Sequence, residues 1–96
     1  MKQPVVYIIT NKKNGTLYTG VTSNLVKRIY EHKDGALKGF TKKYDCKMLV
    51  FYQIHETMES AITEEKRIKA GSRKKKLQLI ETMNPEWQDL YNDIIK

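Results

Sequence analysis

The chain has 96 residues, of which 40 % are hydrophobic and 30 % charged, so it is globular in composition rather than disordered. Its 18 Lys and Arg against 11 Asp and Glu leave a formal net charge of +7, which suits a polyanionic partner such as nucleic acid or an anionic membrane surface. The single cysteine, Cys46, excludes an internal disulfide and a cysteine zinc site and fits a reducing compartment, and no apolar run reaches the roughly 18 residues of a membrane span.

The opening stretch MKQPVVYIIT turns polar too early for a signal peptide, so a cytoplasmic protein without membrane attachment is expected. Val5–Thr10 (VVYIIT) is β-branched and aromatic and predicts a strand near 4–10. The Asn14-Gly15 pair favours a tight hairpin turn, and TLYTGV predicts an antiparallel partner near 16–21. Gly20 inside it marks a bulge or a close backbone approach. Capping side chains at 22–24 open a helix near 24–35, with Leu25, Arg28, Ile29 and His32 at helical spacing. A basic loop with interleaved aromatic residues, GFTKKYDCK, leads to MLVFYQI, an apolar run that predicts a well-covered strand near 47–55.

Helices are predicted near 58–70, closed by Gly71, and near 73–82. Asn84-Pro85 reads as the start of a last helix near 86–94, with Asn84 as cap and an apolar stripe of Trp87, Leu90, Tyr91 and Ile94. The order β-β-α-β-α-α-α places the chain in the α/β (α+β) class: a small three-stranded antiparallel sheet flanked by helices, in one domain over 1–96.

Three places carry residues with chemistry. Tyr7 and Tyr18 lie eleven positions apart on paired strands, so a hairpin can bring their hydroxyls to one patch; strand tyrosines also serve as packing residues with solvated hydroxyls. Arg28 and His32 border the buried face of the first helix, where the arginine stem packs on a core edge and a histidine near the helix end interacts with the dipole. In the helix over 58–70, Met58, Ala61, Ile62 and Ile68 define an apolar stripe with Glu65 in its middle, while Glu59 and Glu64 fall off its centre. A carboxylate on such a face needs a cation: a salt bridge, for which Lys69 stands at i+4, or a metal ion.

The tripeptides VYI and YTG, the segment TSNLVKRIYEHK with Arg28 and His32, and AITEEKRIK with Glu65 together resemble the GIY-YIG endonucleases over about residues 5–80, most of all the small one-domain bacterial members. The resemblance implies a GIY-YIG-like fold and hydrolysis of DNA phosphodiester bonds, with DNA repair or processing as the setting and RNA also open as substrate. It implies one divalent ion, Mg²⁺ or Mn²⁺, held by Glu65 on the leaving-group side, with Arg28 stabilising the pentavalent phosphate. His32 takes the place of a histidine that some members carry. Tyr7 or Tyr18 assists the attacking water; a phenol, with an ordinary pKa of about 10, needs cations such as Arg28 nearby to do so near neutral pH.

Gly20 is expected to leave room for the phosphate. Lys38, Lys42, Lys43 and Tyr44 in the basic loop, with Arg73, Lys74, Lys75 and Lys76, are expected to contact nucleic acid, the cations through phosphates and Tyr44 also by stacking. Many members carry an asparagine after the glutamate; at that distance this chain has Ser72 and Leu77, and Asn84 reads as a helix cap. The alternative is a non-catalytic nucleic-acid-binding module on the same fold.

Overall fold

The β-branched run β1 (Val5–Thr10) forms the centre of a three-stranded antiparallel sheet, between β2 (Leu17–Thr22) and β3 (Met48–Ile54). The computed structural model describes residues 2–36 and 39–96, so Lys38 lies outside the described residues. Every residue of β1 is buried, because both faces of a central strand are covered. Tyr7 pairs with Gly20 on one side and Tyr52 on the other, and Ile9 pairs with Tyr18. Tyr18 stands two residues before Gly20, and side chains alternate along a strand, so the Tyr7 and Tyr18 phenols share one face of the sheet. The loop between β1 and β2 is longer than a two-residue turn: Asn14 takes the left-handed conformation at φ 58°, and the Asn11 side chain accepts from Thr16 N at 2.9 Å.

Opposite Ile8 and Ile9, β3 slips its register from Phe51 to Leu49, which leaves Val50 as a bulge. Val50 and Phe51 then join Val6, Ile8, Ala61, Ile68, Ile80 and Trp87 in one core cluster. This cluster lies under α3 (Met58–Ala70) and α4 (Arg73–Met83). A second cluster joins Tyr7, Ile9, Cys46, Leu49 and Leu90 to Ile29 of α1 (Leu25–Asp34). Three helices open on a side-chain cap, the first of them at the expected Asn24. Asn24, Thr57 and Ser72 each accept from a backbone N–H three residues on, and Gly35 closes α1 at φ 73°.

Two expectations are corrected. The basic loop contains a short helix, α2 (Phe40–Lys43), whose Thr41 is buried. The last helix is only α5 (Tyr91–Ile94), not 86–94. Asn84 ends α4 instead of starting a new helix: its side chain donates to Val50 O at 3.3 Å and Gln88 O at 2.7 Å and accepts from Gln88 N at 3.0 Å. Leu90 N donates to Leu49 O at 2.7 Å, and Asp89 Oδ1 accepts from Leu49 N at 3.1 Å. The segment after Asn84 therefore covers the outer edge of β3, and its hydrogen bonds to that edge win over local helix propensity. Among the described residues no helix is long and apolar enough to cross a membrane.

Candidate active site

The shared tyrosine face is closed by α1. Its last turn carries His32, which is buried rather than at the surface. The His32 Nε2 lies 3.1 Å from the Tyr7 hydroxyl, and its Nδ1 lies 3.1 Å from Thr41 Oγ1 on α2. Burial lowers the His32 pKa from its ordinary value and the nearby Arg28 charge lowers it further, against a smaller opposing effect of Glu31. The imidazole is thus neutral at pH 7 with one ring proton. Either Nδ1–H donates to Thr41 while Nε2 accepts from Tyr7, or the polarity of both bonds is reversed.

Burial also pushes the Tyr7 phenol well above its ordinary value, with the Tyr18 and Glu65 charges adding to the rise and Arg28 opposing it. Arg28 lowers the Tyr7 pKa, as expected of a nearby cation, but desolvation outweighs it. Gly20 has a different use from the one expected. A Cβ there would meet Tyr7 Cζ and the hydroxyl oxygen at 2.5 Å, so the space above Gly20 holds the phenol and not a phosphate.

Tyr18 is more open. Its ring centroid is 6.0 Å from that of His32 and 6.0 Å from that of Phe40, and Lys69 Nζ lies 5.8 Å from its centre. Lys69 comes from α3, and its Nζ also lies 3.4 Å from Glu65 Oε2. The helix whose apolar side covers one face of the sheet thereby carries Glu65 and Lys69 around to the tyrosines on the other. Ala61 and Ile68 of the expected stripe are buried, Met58 is half-buried, and Ile62 is exposed, so the buried stripe is narrower than its apolar residues suggest.

The two adjacent glutamates are in different states. Glu64 is held by Arg67 through contacts of 2.8 and 2.6 Å, and this pairing keeps its carboxyl below the usual range. Glu65, 15 % exposed at its side chain, has one looser contact with Lys69. Arg28 contacts Glu31 at 3.4 Å and its half-exposed guanidinium borders Tyr7 and His32. Tyr7, Tyr18, Arg28, His32 and Glu65 thus meet on one side of the molecule.

The GIY-YIG catalytic domain model matches residues 3–78 of this sequence. The chain belongs to the GIY-YIG family. A UPF0213 protein of Staphylococcus saprophyticus is 38% identical over 80 residues, covering 83% of this chain and 96% of the relative. A UPF0213 protein of Syntrophus aciditrophicus is 38% identical over 87 residues, covering 90% and 98%. The solution NMR structure of a UPF0213 protein from Bacillus halodurans superposes with a TM-score of 0.57 at 30% identity, covering 91% of this chain and 92% of that one. GIY-YIG membership carries a nuclease type of function, a nucleic-acid substrate and general use of a divalent metal.

Among the described residues no three His, Cys, Asp or Glu side chains gather as a metal cage. Beside Tyr18 and Lys69 stands a hard donor, the Glu65 carboxylate, whose contact with Lys69 is through Oε2. That set fits a Mg²⁺-like ion held by a single carboxylate with its other positions left to water and phosphate oxygens.

The cations expected to contact nucleic acid divide into two groups. Lys42, Lys43, Lys74 and Lys75 are exposed. Arg73 Nη2 instead donates to Asn14 O at 2.8 Å and Gly15 O at 2.7 Å, and Lys76 Nζ donates to Gly71 O at 2.8 Å. Both therefore tie backbone carbonyls within the chain. Asn84 is buried at the β3 edge and fills no role at the tyrosines. Sequence reasoning misses Thr41 and Phe40, which lie in what reads as a loop, and sees Lys69 only as an ion-pair partner. The aromatic interleaving of GFTKKY is the one available signal, and it names Tyr44 alone.

Proposed function

We propose that this chain is a metal-dependent endonuclease that hydrolyses DNA phosphodiester bonds, working as one nuclease domain in cytoplasmic DNA repair or processing. The observation that carries the reading is the meeting of Arg28 and a loosely engaged Glu65 with the two tyrosines around a buried Tyr7–His32 hydrogen bond. Glu65, rather than the Arg67-bound Glu64, would hold one Mg²⁺ or Mn²⁺, which supplies charge stabilisation at the leaving oxygen. Arg28 presents paired donors to the phosphate and stabilises its extra negative charge. Tyr7 does not wait as a phenolate. It accepts a proton from the attacking water while passing its own hydroxyl proton to His32 Nε2, and Thr41 holds the Nδ1–H so that Nε2 is free to accept. Lys69, beside both Glu65 and Tyr18, is free to turn to a phosphate oxygen once Glu65 has another cation.

The test is Glu65→Gln in a plasmid-nicking assay with Mg²⁺ or Mn²⁺, beside urea unfolding in chelator. Lys69 is 49 % exposed and its contact is 3.4 Å, so losing the pair is expected to cost less than about 1 kcal/mol. Nicking is expected to fall roughly a hundredfold or more. A large stability loss with nicking intact would defeat the metal role. No nicking by either protein, with DNA binding retained, would favour the non-catalytic binding module.

A further inference from the structure

Beside the tyrosine cluster, α2 faces two ways. Thr41 points inward to His32, while Phe40 is 46% exposed and Tyr44, just after the helix, is 41% exposed. Neither ring is needed to fill a core. Their centroids are 4.7 Å apart, and Phe40 is 6.0 Å from Tyr18, with those two ring planes inclined by 30°. Tyr18, Phe40 and Tyr44 therefore form a row of rings that starts at the catalytic cluster and runs outward. Cations flank both ends: Lys69 Nζ lies 5.8 Å from the Tyr18 ring centre and Lys43 Nζ lies 5.4 Å from the Tyr44 ring centre.

We propose that Phe40 and Tyr44 form a stacking subsite for an unpaired base of the strand being cut, so that single-stranded or locally unpaired DNA is held in preference to continuous duplex. The proposal rests on the reading of the tyrosine cluster as the place where the phosphodiester is held. In a continuous duplex the base faces are already stacked inside, and only the sugar-phosphate surface would meet these rings. An unpaired base exposes its π-face, and an aromatic row flanked by lysines matches a stacked base and the phosphates on either side of it. The excess positive charge of the chain, +7 in total, complements that strand.

The experiment is fluorescence anisotropy in chelator, where cutting cannot intrude, with a short labelled oligothymidylate and a labelled hairpin duplex as probes. The wild-type protein is compared with Phe40→Ala, Tyr44→Ala and the ring-retaining Phe40→Tyr and Tyr44→Phe, each checked by thermal melting. The wild type is expected to bind the single strand more tightly than the hairpin. Each alanine is expected to weaken single-strand binding roughly tenfold and leave hairpin binding nearly unchanged, while the ring-retaining variants bind as wild type. Equal losses on both probes, no loss on either, or tighter binding of the hairpin by the wild type would overturn the subsite. A nicking assay on the same proteins separates the two readings. Selective single-strand loss with no metal-dependent cutting would sink the nuclease reading and support the stacking subsite. Metal-dependent cutting with no selective loss would sink the subsite and leave the nuclease reading standing.

Discussion

Burial of the hydrogen-bonded His32 and Tyr7 side chains moves their two titrations in opposite directions. His32 is held below its ordinary pKa, so the unfolded chain binds a proton near pH 6.5 that the folded one does not. Stability contributed by the neutral ring is therefore complete above pH 6.5 and falls as the pH drops below it toward the folded value. Tyr7 is held above its ordinary pKa, so the unfolded chain loses a proton near pH 10 that the folded one keeps. That contribution is complete below pH 10 and is lost as the pH rises beyond it. Urea unfolding across pH is expected to show both slopes. His32→Gln is expected to flatten the acid slope and Tyr7→Phe the alkaline one; an acid slope unchanged in His32→Gln would assign it to another group. The same residues explain why Gly20 has no side chain: the space is filled by the Tyr7 ring that His32 holds.

The segment that follows α4 behaves as a clasp on β3 rather than as a helix. Asn84 reaches the Val50 carbonyl at the bulge, Trp87 enters the core beneath α3 and α4, and Leu90 pairs with Leu49 from the outer side. Trp87 sits at φ 55°, an uncommon conformation for a bulky residue, and the surrounding contacts hold it there. Lys33 of α1 pairs with Asp89, and its ammonium stands 5.1 Å from the Tyr91 ring centre, which ties the clasp to the other face of the sheet. Asn84→Ala removes three hydrogen bonds, one of them to a buried carbonyl. It is expected to lower stability by about 1–3 kcal/mol in urea unfolding. A helix start at Asn84 would lose a comparable cap energy, so the discriminating readout is hydrogen exchange: faster exchange at Leu49 N marks an opened β3 edge, and exchange confined to residues 86–88 would contradict the clasp.

At the scale of the whole molecule the net charge of +7 is unevenly employed. Arg73 and Lys76 hold the β1–β2 loop and the turn between α3 and α4, whereas Lys42, Lys43, Lys74 and Lys75 are exposed. Reversing these four charges to Glu is expected to weaken duplex binding sharply. The slope of log affinity against log salt should flatten by about 0.9 for each phosphate that is no longer neutralised. Stability should change little, since surface substitutions typically stay within about 0.5 kcal/mol each. Unchanged affinity at low salt would remove both segments from the interface. Arg73→Ala is the contrasting change: it frees the Asn14 and Gly15 carbonyls, so its effect should appear in the melting of the hairpin end more than in the salt slope.

Much of this architecture was legible in local sequence. The β-branched and aromatic run at 5–10, the capping side chain of Asn24 and the apolar spacing that marks the helices all depend on residues within one or two turns of each other, and the structure keeps these elements. What only the tertiary structure decided depends on partners far apart in the chain. The hydroxyl of Tyr7 meets a ring 25 positions on, which is why it is buried and protonated instead of cation-primed. Asn84 meets a carbonyl 34 positions back, which is why a plausible helix start became an edge clasp. Phe40 becomes part of an aromatic row only because α2 folds against the Tyr18 strand. Local propensity sets which elements form, while burial and long-range hydrogen bonding set which side chain each element presents to the site, and in what protonation state.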